Sequence, residues 1–124
     1  MTIGTLSKAT GISEYTLRYY EKKGLIRVER DSSGRRCYAD SDIAWVEFLQ
    51  RLKDTGMMLK DIKKYADLRY EGNKTMPERL AMLRSHREYV LEQQARWAGY
   101  LQNLDDKINF YKSAIEKVSK KSEE

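Results

Sequence analysis

Tyr15, Arg18, Tyr19 and Lys22 fall at i, i+3, i+4 and i+7, so a helix through them carries two phenols, a guanidinium and an ammonium along one side. Such a stripe is poor core material and suits a polyanion. A helix entering a DNA major groove needs guanidinium or amide groups for base edges and hydroxyl or ammonium groups for phosphates, and this stripe supplies both kinds. Thr16, beside it, can reach a phosphate or a thymine methyl, or it can brace the preceding turn. Arg35, Arg36 and Tyr38 form a second group just after a cluster of turn formers. Lys60 stands where another helix would begin, placed either to meet a phosphate beside free backbone N–H groups or simply to face solvent. Between Arg18 and Arg36 seven basic side chains meet three carboxylates, a net +4 that is nearly all of the chain's +5. Charge alone would describe a solvated face equally well.

Catalysis has far less support. His86 is the single histidine, has no cysteine or carboxylate pair at ligand spacing, and reads as a helix-flank residue. Asp105 and Asp106 are adjacent, so a helix would point them in different directions. The sequence holds no glycine-rich phosphate loop and no nucleophile motif. One cysteine can neither staple a fold nor build a thiolate cage. The expectation is a protein that is not an enzyme and takes no metal or cofactor. Its 124 residues are 40 % hydrophobic and 35 % charged, which is one domain's length without a run of the roughly 18 apolar residues that a membrane span requires. Met1 to Thr10 lack a basic start followed by an apolar run, so a cytoplasmic location is expected.

The elements that must position these residues are short. Ile3, Leu6 and Ala9 recur at helical spacing until Gly11. Ser13 is a natural N-cap for a second helix running to about Lys23, where Gly24 can take a left-handed conformation and Leu25 can fold back over the helix end. Two short helices joined by a tight turn make a helix-turn-helix. Leu17, Tyr20 and Glu21 share the side of the second helix away from the basic stripe. Asp31-Ser32-Ser33-Gly34, between Arg27–Arg30 and Arg35–Tyr38, predicts a small β-hairpin, or wing. Ile43, Val46, Leu49 and Leu52 then line one face of a third helix, and Ile62, Tyr65 and Ala66 one face of a fourth.

After a break at Glu71-Gly72-Asn73-Lys74, Thr75 and Glu78 have the spacing of a capping box, with Pro77 in the first turn. Leu83, Val90, Trp97, Leu104 and Tyr111 repeat every seven residues, and Leu80, Arg87, Gln94, Leu101, Ile108 and Ile115 form a second seam. Gln94 and Gly99 weaken the pattern without ending it. A helix to Lys117 would be on the order of 60 Å long, too long to hide its stripe against the small N-terminal module, and its simplest partner is its own copy. The chain therefore divides into a DNA-binding module at residues 1–73, a dimerisation helix at 74–118 and a polar tail at 119–124. The expected interface is Leu83, Val90, Trp97, Leu101, Leu104, Ile108 and Tyr111.

Ile3 to Ser13, the block Thr16-Leu17-Arg18-Tyr19-Tyr20-Glu21 with Gly24-Leu25-Ile26, and Gly34-Arg35-Arg36-Cys37-Tyr38 resemble the winged helix-turn-helix of the MerR family of bacterial transcription regulators. Asp42-Ile43, Arg51-Leu52, Gly56 and Ile62 continue the resemblance across roughly the first 70 residues. It implies an all-α winged helix-turn-helix whose long helices pair as an antiparallel coiled coil. It further implies a homodimer on a near-palindromic promoter operator, with Arg18 and Tyr19 on the reading helix and Arg36 and Tyr38 on the wing. Such dimers bend and untwist an overlong promoter spacer so that RNA polymerase holoenzyme engages both promoter elements, which is indirect readout driven by the phosphate grip. Repression by occlusion is the first alternative, and a coiled-coil adaptor whose basic patch is mere surface is the second.

The departures bear on the signal. Metal-sensing relatives carry cysteines around the dimer helix, whereas this sequence has Thr75 at its start and no cysteine after Cys37. Residues from Tyr65 to Gly72, with Arg79, Leu83, His86, Arg87 and Leu104 to Tyr111, resemble small members linked to aldehyde and thiol stress. Those often hold a reactive cysteine in the third helix, where Arg51 stands here. Cys37 has no second thiol or histidine near it in sequence and reads as an inert small residue, with a redox role as the alternative because Arg35 and Arg36 can favour a thiolate. Any small-molecule effector is unidentified. Trp45, Tyr65, Tyr70 and Tyr89 are candidates to gather where the module meets the dimer helix, or to pack as plain core.

Overall fold

The computed structural model describes residues 1–123. In chain order it contains α1 (Ile3–Thr10), α2 (Glu14–Lys22), β1 (Glu29–Arg30), β2 (Arg36–Cys37), α3 (Ser41–Asp54), α4 (Leu59–Glu71), a 3-10 turn (Asn73–Thr75) and α5 (Met76–Glu123). Met1–Arg84 make one compact unit, and the chain from Ser85 onward makes a second. Among the described residues no helix is long and apolar enough to cross a membrane.

The helix-turn-helix is built by its caps. Thr2 Oγ1 accepts the Thr5 N–H at 3.1 Å to start α1, and Ser13 Oγ accepts the Thr16 N–H at 3.1 Å to start α2. The turn between the two helices is drawn tight by Ser7 Oγ, which donates to the Ile12 carbonyl at 2.6 Å. α2 ends as the sequence predicts: the Gly24 N–H reaches Glu21 O and the Leu25 N–H reaches Tyr20 O, both at 2.9 Å. That Schellman geometry needs φ of 75° at Gly24, and it turns Leu25 and Ile26 straight into the core. Leu6 of α1 and Leu17 of α2 are fully buried against Val46, Leu49 and Leu52 of α3.

The wing is short. Glu29 pairs with Cys37 and Arg30 with Arg36, antiparallel. Asp31 Oδ1 accepts the N–H groups of Ser33 at 2.9 Å and Arg35 at 3.0 Å, so one carboxylate holds the whole turn. α3 begins with a reversed arrangement in which Asp42 Oδ2 accepts the Ala39 N–H at 2.9 Å while Asp40, the residue before the helix, makes no side-chain cap.

The start of the long helix differs from the expected capping box. Thr75 lies in the 3-10 turn, buried, with its hydroxyl directed backward to the carbonyls of Leu68 at 2.5 Å and Gly72 at 2.8 Å, and it accepts from Arg79 Nε at 3.0 Å. Gly72, at φ 103°, reverses the chain so tightly that the hydroxyl meets the end of α4 rather than the first turn of α5. The 48 residues of α5 follow. Its first turns belong to the N-terminal unit: Met82 and Leu83 pack on the module's core. Leu83 is thus half-covered within its own chain, while Leu80 before it and most seam residues beyond it are exposed. Trp97, Leu101, Leu104, Ile108 and Tyr111 are all exposed, and Val90 is half-buried.

Candidate nucleic-acid interface

α2 presents Tyr15, Arg18, Tyr19 and Lys22 outward, with Tyr15 82 % exposed. Leu17 and Tyr20 on the opposite side anchor the helix in the core, and the Tyr20 hydroxyl donates to Gln50 Oε1 of α3 at 2.7 Å. Arg18 is held by Glu14 at 3.4 Å, but both side chains are about half exposed, so a phosphate or a base edge can replace that carboxylate at little cost. Lys23 Nζ lies 5.7 Å from the centre of the Tyr19 ring and steadies it. Thr16 is tied to the turn: its N–H and its Oγ1 both engage Ser13 Oγ. The turn-bracing alternative therefore describes its contacts in the free protein.

The wing lies beside this helix because Glu21 joins them. Its carboxylate meets Arg36 at 3.4 Å and accepts the Tyr38 hydroxyl at 3.3 Å. Arg35 and Arg36 are exposed, whereas Tyr38 is only 1 % exposed. The ring expected to face DNA is instead core, because β2 ends at Cys37 and the Met1 amine on the Tyr38 carbonyl, 2.6 Å away, turns the next side chain inward. Glu21 was legible only as a polar residue on the core side of α2. The structure makes it the strut between reading helix and wing.

Burial pushes the Tyr38 phenol above its ordinary value of 10.0; the Glu21 charge adds to the shift and Arg36 opposes it. Burial likewise raises Tyr20. A phenol raised on folding contributes stability that is intact below the unfolded pKa and is lost as pH climbs through the folded one. Stability should therefore fall on the alkaline side of 10.0, and Tyr38→Phe should fall less, retaining only the Tyr20 share. Urea midpoints across that range provide the measurement. Parallel curves for parent and variant would remove Tyr38 as a source.

Lys60 is exposed in the first turn of α4, where Met58 precedes the helix without a side-chain cap. The first N–H groups of a helix have no intrahelical acceptor and suit a phosphate. Three of the four expected aromatics behave as a group. Trp45 stacks on Tyr65 with centroids 5.9 Å apart, and Tyr70 meets its edge at 6.5 Å. Tyr89 stacks on His86 at 6.0 Å. Phe48 joins the cluster at 5.7 Å from Tyr65, and Arg69 lies over Trp45 at 4.3 Å. Arg27 lies over Tyr70 at 4.6 Å while its own N–H donates to the Tyr70 hydroxyl at 2.9 Å. The segment entering the wing is thereby tied to the end of α4. Cys37 is exposed on β2, and Arg51 of α3 pairs with Glu47 at 3.5 Å. No group of three or more metal-ligating side chains occurs among the described residues.

Residues 1–68 match the profile of the MerR HTH family regulatory proteins. The chain belongs to the MerR family. A second profile, described as MerR, DNA binding, matches residues 43–107. An HTH-type transcriptional regulator of Haemophilus influenzae is 42 % identical over 114 residues, which are 91 % of this chain and 84 % of that protein. The regulator AdhR of Bacillus subtilis is 37 % identical over 93 residues, covering 74 % of this chain and 66 % of its own. Among solved structures, HiNmlR, a MerR family regulator lacking the sensor domain and bound to promoter DNA, superposes with a TM-score of 0.79 at 42 % identity, covering 91 % of this chain and 90 % of that one. A MerR family regulator from Listeria monocytogenes superposes with a TM-score of 0.89 at 28 % identity, covering 98 % and 92 %. The MerR assignment accords with the basic face described above, since the first profile contains α2, the wing and the start of α4.

Proposed function

We propose that this MerR-family regulator binds a near-palindromic promoter operator as a homodimer and distorts the spacer DNA to control transcription. The observation that carries the reading is the exposed Tyr15, Arg18, Tyr19 and Lys22 face of α2, with Arg35 and Arg36 held beside it by Glu21. α2 would lie in the major groove, the wing arginines would grip the flanking backbone, and Lys60 with the α4 amides would take a further phosphate. The exposed seam of α5 would join two such modules, so that each half-site is held at a set distance. Two modules gripping backbone at a fixed spacing can impose a bend or twist on base pairs that they never touch. RNA polymerase holoenzyme is then a partner through the shared promoter, the site of action is the cytoplasm, and no catalysis is involved.

The test is titration and transcription on the DNA upstream of the chain's own gene. Log affinity should fall linearly with log salt at about −0.9 per phosphate neutralised. Arg18→Ala should cost about 1–3 kcal/mol of binding. Transcription should rise on a promoter whose spacer is too long and lose its dependence on the protein when that spacer is shortened. A flat salt response together with unchanged Arg18→Ala binding would remove the α2 face from the interface. Lower transcription from the overlong promoter would favour occlusion over distortion.

A further inference from the structure

α2, the second half of α3, the turn that follows it and the first turn of α4 line a cleft of about 460 Å³. That is within the range of about 300–1,000 Å³ in which proteins hold small organic ligands. Leu25, Leu49 and Ile62 at its base are core residues that show only a trace of surface, and half-buried Met57 and exposed Leu59 supply most of the accessible hydrocarbon of the lining. Tyr15 and Tyr19 wall the side formed by α2. The Tyr20 phenol in the lining is already committed to Gln50 Oε1. Lys53 is the one charged residue in this lining among the described residues, and it enters none of their ion pairs.

These features select an occupant. A phosphate pressed against Leu25, Leu49 and Ile62 would lose water and find no donors there, so a DNA backbone can cross the mouth of the cleft but not fill it. A neutral hydrocarbon would fill it but gain nothing from the Lys53 ammonium, which is exposed and hydrated. The geometry points to a ligand site for a small amphipathic organic anion, an aliphatic or aromatic carboxylate whose body lies on the apolar floor and whose charge meets Lys53. Tyr15, Thr16 and Tyr19 line this cleft and also belong to the face assigned above to DNA, so such a ligand excludes promoter DNA. That consequence rests on the proposed DNA reading, whereas the site itself does not.

The experiment uses the full chain with labelled Leu, Ile and Met methyl groups and sodium decanoate as the probe. Promoter affinity is first measured without it. Decanoate should perturb the methyls of Leu25, Leu49, Met57 and Ile62, acetate at the same concentration should not, and decyltrimethylammonium should bind at least about tenfold more weakly. Lys53→Glu, a surface change whose fold is checked by circular dichroism, should reverse the order of the two ten-carbon probes. Saturating decanoate should lower promoter affinity by about tenfold, an ordinary size for coupling between ligands. Perturbation confined to the exposed seam of α5, equal binding of anion and cation, or no binding would overturn the site. Unchanged promoter affinity with the cleft filled would overturn the exclusion. A chain that binds no promoter DNA before decanoate is added fails the reading of the α2 face alone, and the methyl map still decides the cleft.

Discussion

Trp97→Ala combined with Leu101→Asp is expected to split the proposed homodimer into monomers and to lower operator affinity by about 10²–10⁴-fold, the usual benefit of linking two binding modules. Trp97 is 69 % exposed and Leu101 59 % exposed along a helix that continues for several turns beyond them. Burying side chains of that size stabilises an interface by roughly 1.5–3 kcal/mol apiece, and a two-fold dimer counts each residue twice. An aspartate in the same seam must either lose its hydration without a partner or hold the helices apart. Neither residue lies in the Met1–Arg84 unit, so the winged module should keep its own core of Leu6, Leu17, Val46 and Leu49. Sedimentation and operator titration on the same double variant check both halves. A monomer that binds with parental affinity would refute the two-headed mechanism, and a variant that stays dimeric would place the interface on another surface.

Trp45→Ala should be the most damaging single change within the module. The indole is 4 % exposed, stacks on Tyr65, meets the Tyr70 edge, carries the Arg69 guanidinium on its face and donates Nε1–H to the Leu25 carbonyl at 2.9 Å. Removing a buried tryptophan costs about 3–5 kcal/mol, and the orphaned carbonyl adds about 1 kcal/mol. Against a total stability of about 5–15 kcal/mol, the melting temperature should drop by at least about 15 °C. Trp45→Phe separates the two contributions, because it keeps most of the ring and loses the N–H. Since Tyr70 positions the Arg27 backbone at the entrance to the wing, the folded fraction of Trp45→Ala should also bind DNA less well than its concentration predicts. Thermal and urea unfolding give the first result. A loss under about 1 kcal/mol would mean that Tyr65, Phe48 and Arg69 close over the gap.

Much of this is legible in the amino-acid sequence, and the legible part shares one property. Ser13 capping α2, Gly24 and Leu25 closing it, Asp31 holding the wing turn, and the heptad seam of α5 all depend on residues within a few positions of one another. At that range helical or hairpin geometry alone dictates which atoms meet. The basic stripe of α2 was legible for the same reason, since four side chains on one helical side remain together wherever the helix goes.

What escaped depends on contacts between distant parts of the chain. Tyr38 followed two arginines in a wing and read as a third DNA contact, yet its ring is core and its hydroxyl meets Glu21, 17 residues away. Thr75 had the spacing of a helix cap, but the reversal at Gly72 gave its hydroxyl to Leu68 instead. Leu83 fitted the seam by period and also packs partly on its own module, because a seven-residue repeat records that a face is apolar and not what buries it.

Local hydrogen bonding and side-chain period, which act within a turn or two, set the helices, both ends of α2, the wing turn, the charged side of α2 and the apolar side of α5. Which polar residues act as struts, and where the cleft opens, follows from the packing of distant elements. Glu21 to Arg36, Tyr70 to Arg27, and Trp45 to Leu25 are pairings in which each residue alone is an ordinary polar or aromatic side chain. Their meaning arises when several elements fold onto one core and bring donors and acceptors together over separations that no local pattern encodes.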